Sequence, residues 1–303
     1  MRTYRFVQVD VFGFGPFTGN PLAVFPEARG LSDGEMQAIA REMNLSETTF
    51  VTEPMGGGDI RVRIFTPGME LPFAGHPSLG TACTAVRLGL VPLREPVTPV
   101  RLELNVGPTL VDVHIEDGEP ARAVVHQSTP HYGARIPRAE AAAILGLSED
   151  DLHPELLGRR VGTGLDYAII PLRDTRVLRR AWFAMDRLAA FEELYSELYP
   201  FAFTGDEQPF AEARSFGPLG GVVEDPATGS AAGPLAAYLA HEGVLRPGET
   251  KVLAQGQYTG RPSRLEIGVV GESGVKGEPG ALTDVLVGGA VVPIITGELT
   301  LPV

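Results

Sequence analysis

Residues 4–12 (YRFVQVDVF) alternate apolar and polar positions, the period of a half-buried strand. Residues 13–19 break the pattern, and 20–25 (NPLAVF) reads as a second strand completing a long hairpin. Between 32 and 43 the period changes to that of a helix. Ser32 is placed as N-cap, Glu35 as its capping-box partner, and Met36, Ile39, Ala40 and Met43 form one apolar face. Further strands are expected near 49–51, 60–65, 100–105, 109–115, 121–127, 166–171, 214–216, 251–255, 264–269, 284–295 and 297–301. Helices are expected at 138–145 and about 185–198. Two segments, 73–89 (FAGHPSLGTACTAVRLG) and 226–243 (PATGSAAGPLAAYLAHEG), are small or apolar at almost every position. A helix of that kind is buried on all sides.

These two segments also repeat one another. Placed in register, Pro77-Ser78-Leu79-Gly80-Thr81-Ala82 and Pro226-Ala227-Thr228-Gly229-Ser230-Ala231 share Pro, Gly, a hydroxyl residue and Ala, and both lead through an apolar helix to a Gly-Leu-Val or Gly-Val-Leu exit. The strand-rich order with few helices gives an α+β class with mixed sheets. The repeat points to two related halves, each with sheet wrapped around one apolar helix. Residues 1–118 form the first, completed by about 284–303, and 119–283 form the second.

The repeated segments carry the candidate chemistry. Pro77 and Pro226 are expected at the helix starts, where a missing N–H costs nothing. Gly80, Gly229, Thr81 and Ser230 would leave first-turn N–H groups open to an anion at the positive end of the helix dipole. His76 stands beside one start, and Asp225 and Glu224 beside the other. Glu47, in NLSETTF just ahead of a β run, is a third candidate. Buried near Leu45 and Phe50, it would hold its proton more tightly and act as acid and base near neutral pH.

Charge and composition narrow the partners. A formal net charge of -13 and a pI near 4.9 argue against nucleic acid or an anionic membrane, both of which select for clustered Lys and Arg. One cysteine, Cys83, allows no intrachain disulfide and reads as a buried helix residue. Residues 13–19 lack the G-x-G-x-x-G spacing, and no Walker A loop, C-x-x-C, H-E-x-x-H or G-x-S-x-G occurs. The histidines are scattered, so no metal site is expected, and His114, His126, His131, His153 and His241 read as structural or surface residues. With no signal-peptide pattern and no long apolar run, the expected location is cytoplasmic.

Five blocks in order, GNPLAVF, NLSETTFV, RIFTPGMELPFAGHPSLGTA, EDPATGSAAG and QGQYTGRPSRLEI, resemble the phenazine-biosynthesis isomerase family, relatives of diaminopimelate epimerase. The resemblance implies two similar domains, each a rolled mixed β-sheet around a central helix, with the active site between them, and isomerisation of a dihydro-hydroxyanthranilate-type acid without metal or cofactor. It implies Glu47 as the acid/base that shuttles the proton, and His76 and Asp225 as residues that hydrogen-bond and orient the substrate. Gly75, Gly229 and Ser230 then hold the carboxylate of a small acid, and the protein is a homodimer. Ring recognition is open, with Phe12, Pro16, Phe17, Pro72, Phe73 and residues 217–221 as candidates. Two alternatives stand: an epimerase or racemase using Glu47 and Asp225 as a carboxylate pair, and a non-catalytic member that only binds ligand or protein. The two-cysteine mechanism of the epimerases is excluded by the cysteine count.

Overall fold

The computed structural model describes residues 1–183, 197–217, 222–272 and 280–302. In chain order its elements are β1 Arg2–Val11, β2 Asn20–Phe25, α1 Asp33–Met43, β3 Glu47–Thr52, β4 Ile60–Phe65, β5 Glu70–Leu71, α2 Gly75–Arg87, β6 Val97–Leu104, β7 Gly107–Glu116 and β8 Glu119–Gln127. There follow β9 His131–Arg135, α3 Arg138–Ile144, β10 Arg159–Gly162, β11 Asp166–Pro171, α4 Thr175–Arg180, β12 Leu198–Phe203, β13 Ala211–Ala213, β14 Ser215–Gly217, β15 Val222–Asp225, α5 Gly229–His241, β16 Thr250–Gln255, β17 Ser263–Gly271 and β18 Leu282–Leu301. The chain divides into two compact units, Met1–His126 with Gly288–Val303, and Gln127–Val287.

In the first unit β18 pairs antiparallel with β1, and β1 with β2. Next, β2 and β3 run parallel, with α1 between them in sequence. β3 is antiparallel to β4, β4 is parallel to β6 with α2 between them, and β6, β7 and β8 form a meander. The second unit repeats this plan. β11 and β12 run parallel with α4 between them in sequence, β12 is antiparallel to β13, and β13 is parallel to β16 with α5 between them. β16 is then antiparallel to β17. The fold is α+β, two similar units each with a rolled mixed sheet around a central helix.

Burial follows from the patterning. α1 obeys its caps, Ser32 and Glu35 closing a capping box, and its Met36, Ile39 and Ala40 pack on Phe25, Phe50 and Phe65. α3 and α4 cover the outer face of the second sheet through Ala141, Ile144, Val177 and Leu178 against Ala168, Ile170, Leu198 and Phe216. α2 touches β1, β2, β3, β6 and β7, and is buried from Gly75 to Val86, including Cys83. Every residue of α5 is buried against elements that include β10, β11 and β17.

The two central helices correspond, but not in the register their motifs suggest. Each is 13 residues long, and each exits through a glycine in the left-handed region, Gly89 at φ 73 and Gly243 at φ 74. Gly75 is therefore the counterpart of Gly229, and His76 of Ser230. Pro77 lies two residues inside α2 and Pro226 three residues ahead of α5, so neither opens its helix. Gly80 is likewise a packing residue. A Cβ there would come within 2.6 Å of Leu22 and 2.8 Å of Val11, which is how closely α2 sits on β1 and β2.

Other expectations shift by small amounts. β18 is continuous where two segments were expected, and Arg214 lies between β13 and β14 and in neither. Most of the helix expected at 185–198 falls outside the described residues, and Leu198 opens β12. Residues 218–221 of the ring-recognition candidates also fall outside them.

Candidate functional site

In the first unit Glu47 is the first residue of β3, paired with Leu22, and not a loop residue ahead of the strand. Alternation puts Glu47, Thr49 and Val51 on one face. That face looks at α2, because the Thr49 hydroxyl meets the Thr81 hydroxyl at 2.8 Å. His76, in the first turn of α2, brings its Nε2 to 3.3 Å from Glu47 Oε2, with side-chain exposures of 4% and 15%. Burial pushes the His76 imidazole down to about 3, so the ring is neutral over the physiological range. Its Nδ1 lies 3.3 Å from Asn20 Nδ2. An amide NH2 only donates, so Nδ1 accepts and Nε2 carries the ring proton; Nε2 and Glu47 Oε2 approach each other without hydrogen-bond geometry. The N-cap of α2, Ala74, gives no side-chain cap, and Pro77 in its first turn has no N–H to offer.

In the second unit Asp225 closes β15, opposite Ser215 on β14. The Thr228 hydroxyl donates to Asp225 Oδ2 at 2.6 Å, and so does not cap α5 although Thr228 is the N-cap residue. Gln255 holds this corner. Its Nε2 donates to the Asp225 carbonyl at 2.9 Å and to Thr228 Oγ1 at 3.0 Å, and its Oε1 accepts from the Tyr199 hydroxyl at 2.8 Å. Ser230 meets the Tyr167 hydroxyl at 2.7 Å, and the Gly229 carbonyl accepts from Gln127 Nε2 at 2.9 Å. Glu224 turns the other way and forms a bidentate pair with Arg214 at 2.8 and 2.7 Å.

All six candidate site residues thus lie at the starts of the two central helices or on a strand end beside one, three in each unit. Asn20, Tyr167, Thr228 and Gln255 escaped sequence reasoning. Their polarity is ordinary; Thr228 adjoins Gly229 in the chain, and only the fold brings the other three beside the candidates. Of the ring-recognition candidates, Phe12 is fully buried, which removes it, and Phe17 is exposed. Of the other histidines, His126 pairs with Asp112 and His131 with Asp166, and His241 is buried against Arg159. Among the described residues no three His, Cys, Asp or Glu side chains gather as a metal site requires, and no helix is long and apolar enough to cross a membrane.

The model of the phenazine biosynthesis-like (PhzC-PhzF) family matches residues 9–297. The chain belongs to that family. It is 38% identical over 271 residues to trans-2,3-dihydro-3-hydroxyanthranilate isomerase of Pseudomonas fluorescens, covering 86% of this chain and 89% of the relative. Among solved structures it is similar to a predicted epimerase from Pseudomonas aeruginosa, with 35% identity, TM-score 0.83 and coverage of 99% and 100%. A PhzF-family phenazine biosynthesis protein of Bacillus anthracis gives TM-score 0.85 at 26% identity, with coverage of 99% and 100%. A probable proline racemase from Agrobacterium radiobacter, at 14% identity and TM-score 0.68 with coverage of 99% and 93%, shares the fold alone. As a member of the PhzC-PhzF family, the protein is an isomerase with the diaminopimelate epimerase-like fold.

Proposed function

We propose that this isomerase moves a proton along the conjugated system of a small unsaturated or cyclic carboxylic acid, of the type its Pseudomonas fluorescens relative is named for, with Glu47 as the acid/base. The observation that carries this is the approach of Glu47 to the neutral His76 at the start of α2. A carboxylate takes the proton from one ring carbon, the charge spreads over the double bonds and the carboxylate of the substrate, and the same carboxyl returns the proton to another carbon. The imidazole beside Glu47 is neutral, so it does not fix the carboxylate as an ion pair. Gly75, at the start of α2, and Gly229 with Ser230, at the start of α5, are assigned to the substrate carboxylate, which needs no Lys or Arg there. Asp225, held by Thr228 and Gln255, is assigned to the polar substituents of the substrate.

A second reading, epimerisation at an α-carbon with Glu47 and Asp225 as opposed bases, is favoured by the likeness to the predicted epimerase. Incubation in D2O with trans-2,3-dihydro-3-hydroxyanthranilate and, separately, with amino acids distinguishes the two by NMR. Deuterium on a ring carbon with double-bond movement supports the proposal. Deuterium at an α-carbon with inversion replaces it with the second reading.

A further inference from the structure

Because the units share one order of paired strands around the central helix, the strands of that series in the first have counterparts in the second. Glu47 opens β3, which is parallel to β2 and antiparallel to β4. The corresponding strand is β12, parallel to β11 and antiparallel to β13, and the residue directly before it is Glu197. The chain reads Ser-Glu at both places, Ser46-Glu47 and Ser196-Glu197.

The faces agree as well. On β12, Leu198 and Ala202 enter the outer core with Phe216. The alternate residues turn inward, Phe201 meeting the Tyr238 ring of α5 edge-on at 6.0 Å and Tyr199 reaching Gln255. Glu197 belongs to this inward series. Its carboxylate lies across Gly217 of β14, where a Cβ would fall on both carboxylate oxygens, so the absence of a side chain there makes its room. β14 is also the strand that pairs with β15 and Asp225. Among the described residues Asp225 is the charged group that acts on Glu197. Tyr199, next on the same face, is itself held neutral by burial, and Arg214 is committed to Glu224. Burial and the Asp225 carboxylate together push the Glu197 carboxyl up to about 8.

We propose that Glu197 is a positioning residue, the counterpart of Glu47 in the second unit, whose carboxyl, lying against Gly217 on the strand that pairs with Asp225, fixes the charge state in which Asp225 meets substrate. The role rests on the reading of Asp225 as a substrate-facing residue. Two carboxyl groups holding one proton carry a single negative charge, and loss of that proton sets two charges against each other.

The test is a carboxyl titration by NMR on protein labelled with 13C-glutamate, with the pH profile of kcat measured in parallel on trans-2,3-dihydro-3-hydroxyanthranilate. One glutamate is expected to titrate near pH 8, to vanish in Glu197→Gln, and to move to lower pH in Asp225→Asn. The alkaline limb of kcat is expected to disappear in Glu197→Gln while KM changes less than about threefold. Absence of any glutamate titrating between about pH 7 and 9, an unmoved titration in Asp225→Asn, or an alkaline limb retained in Glu197→Gln overturns the proposal. Failure of the wild-type protein to turn over this acid counts against the proposed function, and the NMR titration still decides the role of Glu197.

Discussion

Glu224 and Asp225 are neighbours in the chain, yet their side chains serve opposite sides of one sheet. Glu224 is locked in a bidentate pair with Arg214, which also donates to the carbonyls of Ala181 and Leu178. Asp225 instead takes the Thr228 hydroxyl at the start of α5. A strand sends successive residues to opposite faces, so one acid is structural and the next is available for chemistry.

The two acids are therefore expected to fail differently. Glu224→Gln leaves the buried Arg214 charge without its partner and should cost about 3–5 kcal/mol of stability, with turnover per folded molecule retained. Asp225→Asn should lower kcat/KM at least about tenfold with a smaller loss of stability. Urea unfolding beside steady-state kinetics checks both, and equal kinetic defects would contradict the assignment.

His76 gives a pH signature in stability. Burial holds its folded value at about 3, below the 6.5 of an exposed imidazole. The unfolded chain therefore binds the extra proton as pH falls below 6.5, and stability, fully present above that point, declines toward pH 3. The slope contributed is up to about 1.4 kcal/mol per pH unit. Denaturation midpoints at pH 4.5 and 7.5 should differ less in His76→Gln than in the wild type. An identical difference would mean that His76 is not buried neutral.

Thr228→Val removes both the hydroxyl donated to Asp225 and the acceptor for Gln255. About 1–3 kcal/mol of stability should go with them, along with a severalfold fall in kcat/KM, because the carboxylate loses its short hydrogen bond. Thr228→Ser keeps the hydroxyl and should recover most of both, which calorimetry and initial rates can establish.

Gly80→Ala tests the packing role of that glycine. The added methyl meets Leu22 and Val11 at closer than contact distance, and overpacking of this kind costs about 1–3 kcal/mol. A lower urea midpoint is expected. A neutral or stabilising result would show that α2 has room on β1 and β2.

Local signals made much of the fold legible in the sequence. The hairpin of β1 and β2 follows from alternation, and α1 from Ser32 and Glu35, because these effects act within a few residues. The two central helices were visible because burial on every side leaves no polar stripe. Their correspondence was misplaced by five residues, since Pro77 and Pro226 match as letters while the helix starts are set by tertiary contacts. Glu47, His76 and Asp225 stood out as polar residues beside small ones. Gln255 and Tyr199 did not, because each acts through partners distant in the chain, and Thr228 offered only an ordinary hydroxyl inside the EDPATGSAAG block. Glu197 was hidden inside a segment that reads as helix, and its one sequence signal is the Ser-Glu pair repeated ahead of a β run.

The measurement that tests the account most directly is solvent deuterium exchange into trans-2,3-dihydro-3-hydroxyanthranilate by the wild-type protein and by Glu47→Gln, with folding of both verified by circular dichroism. The account predicts ring-carbon exchange with double-bond movement in the wild type and a loss of at least about a thousandfold in Glu47→Gln. Full exchange in the folded Glu47→Gln protein would contradict it.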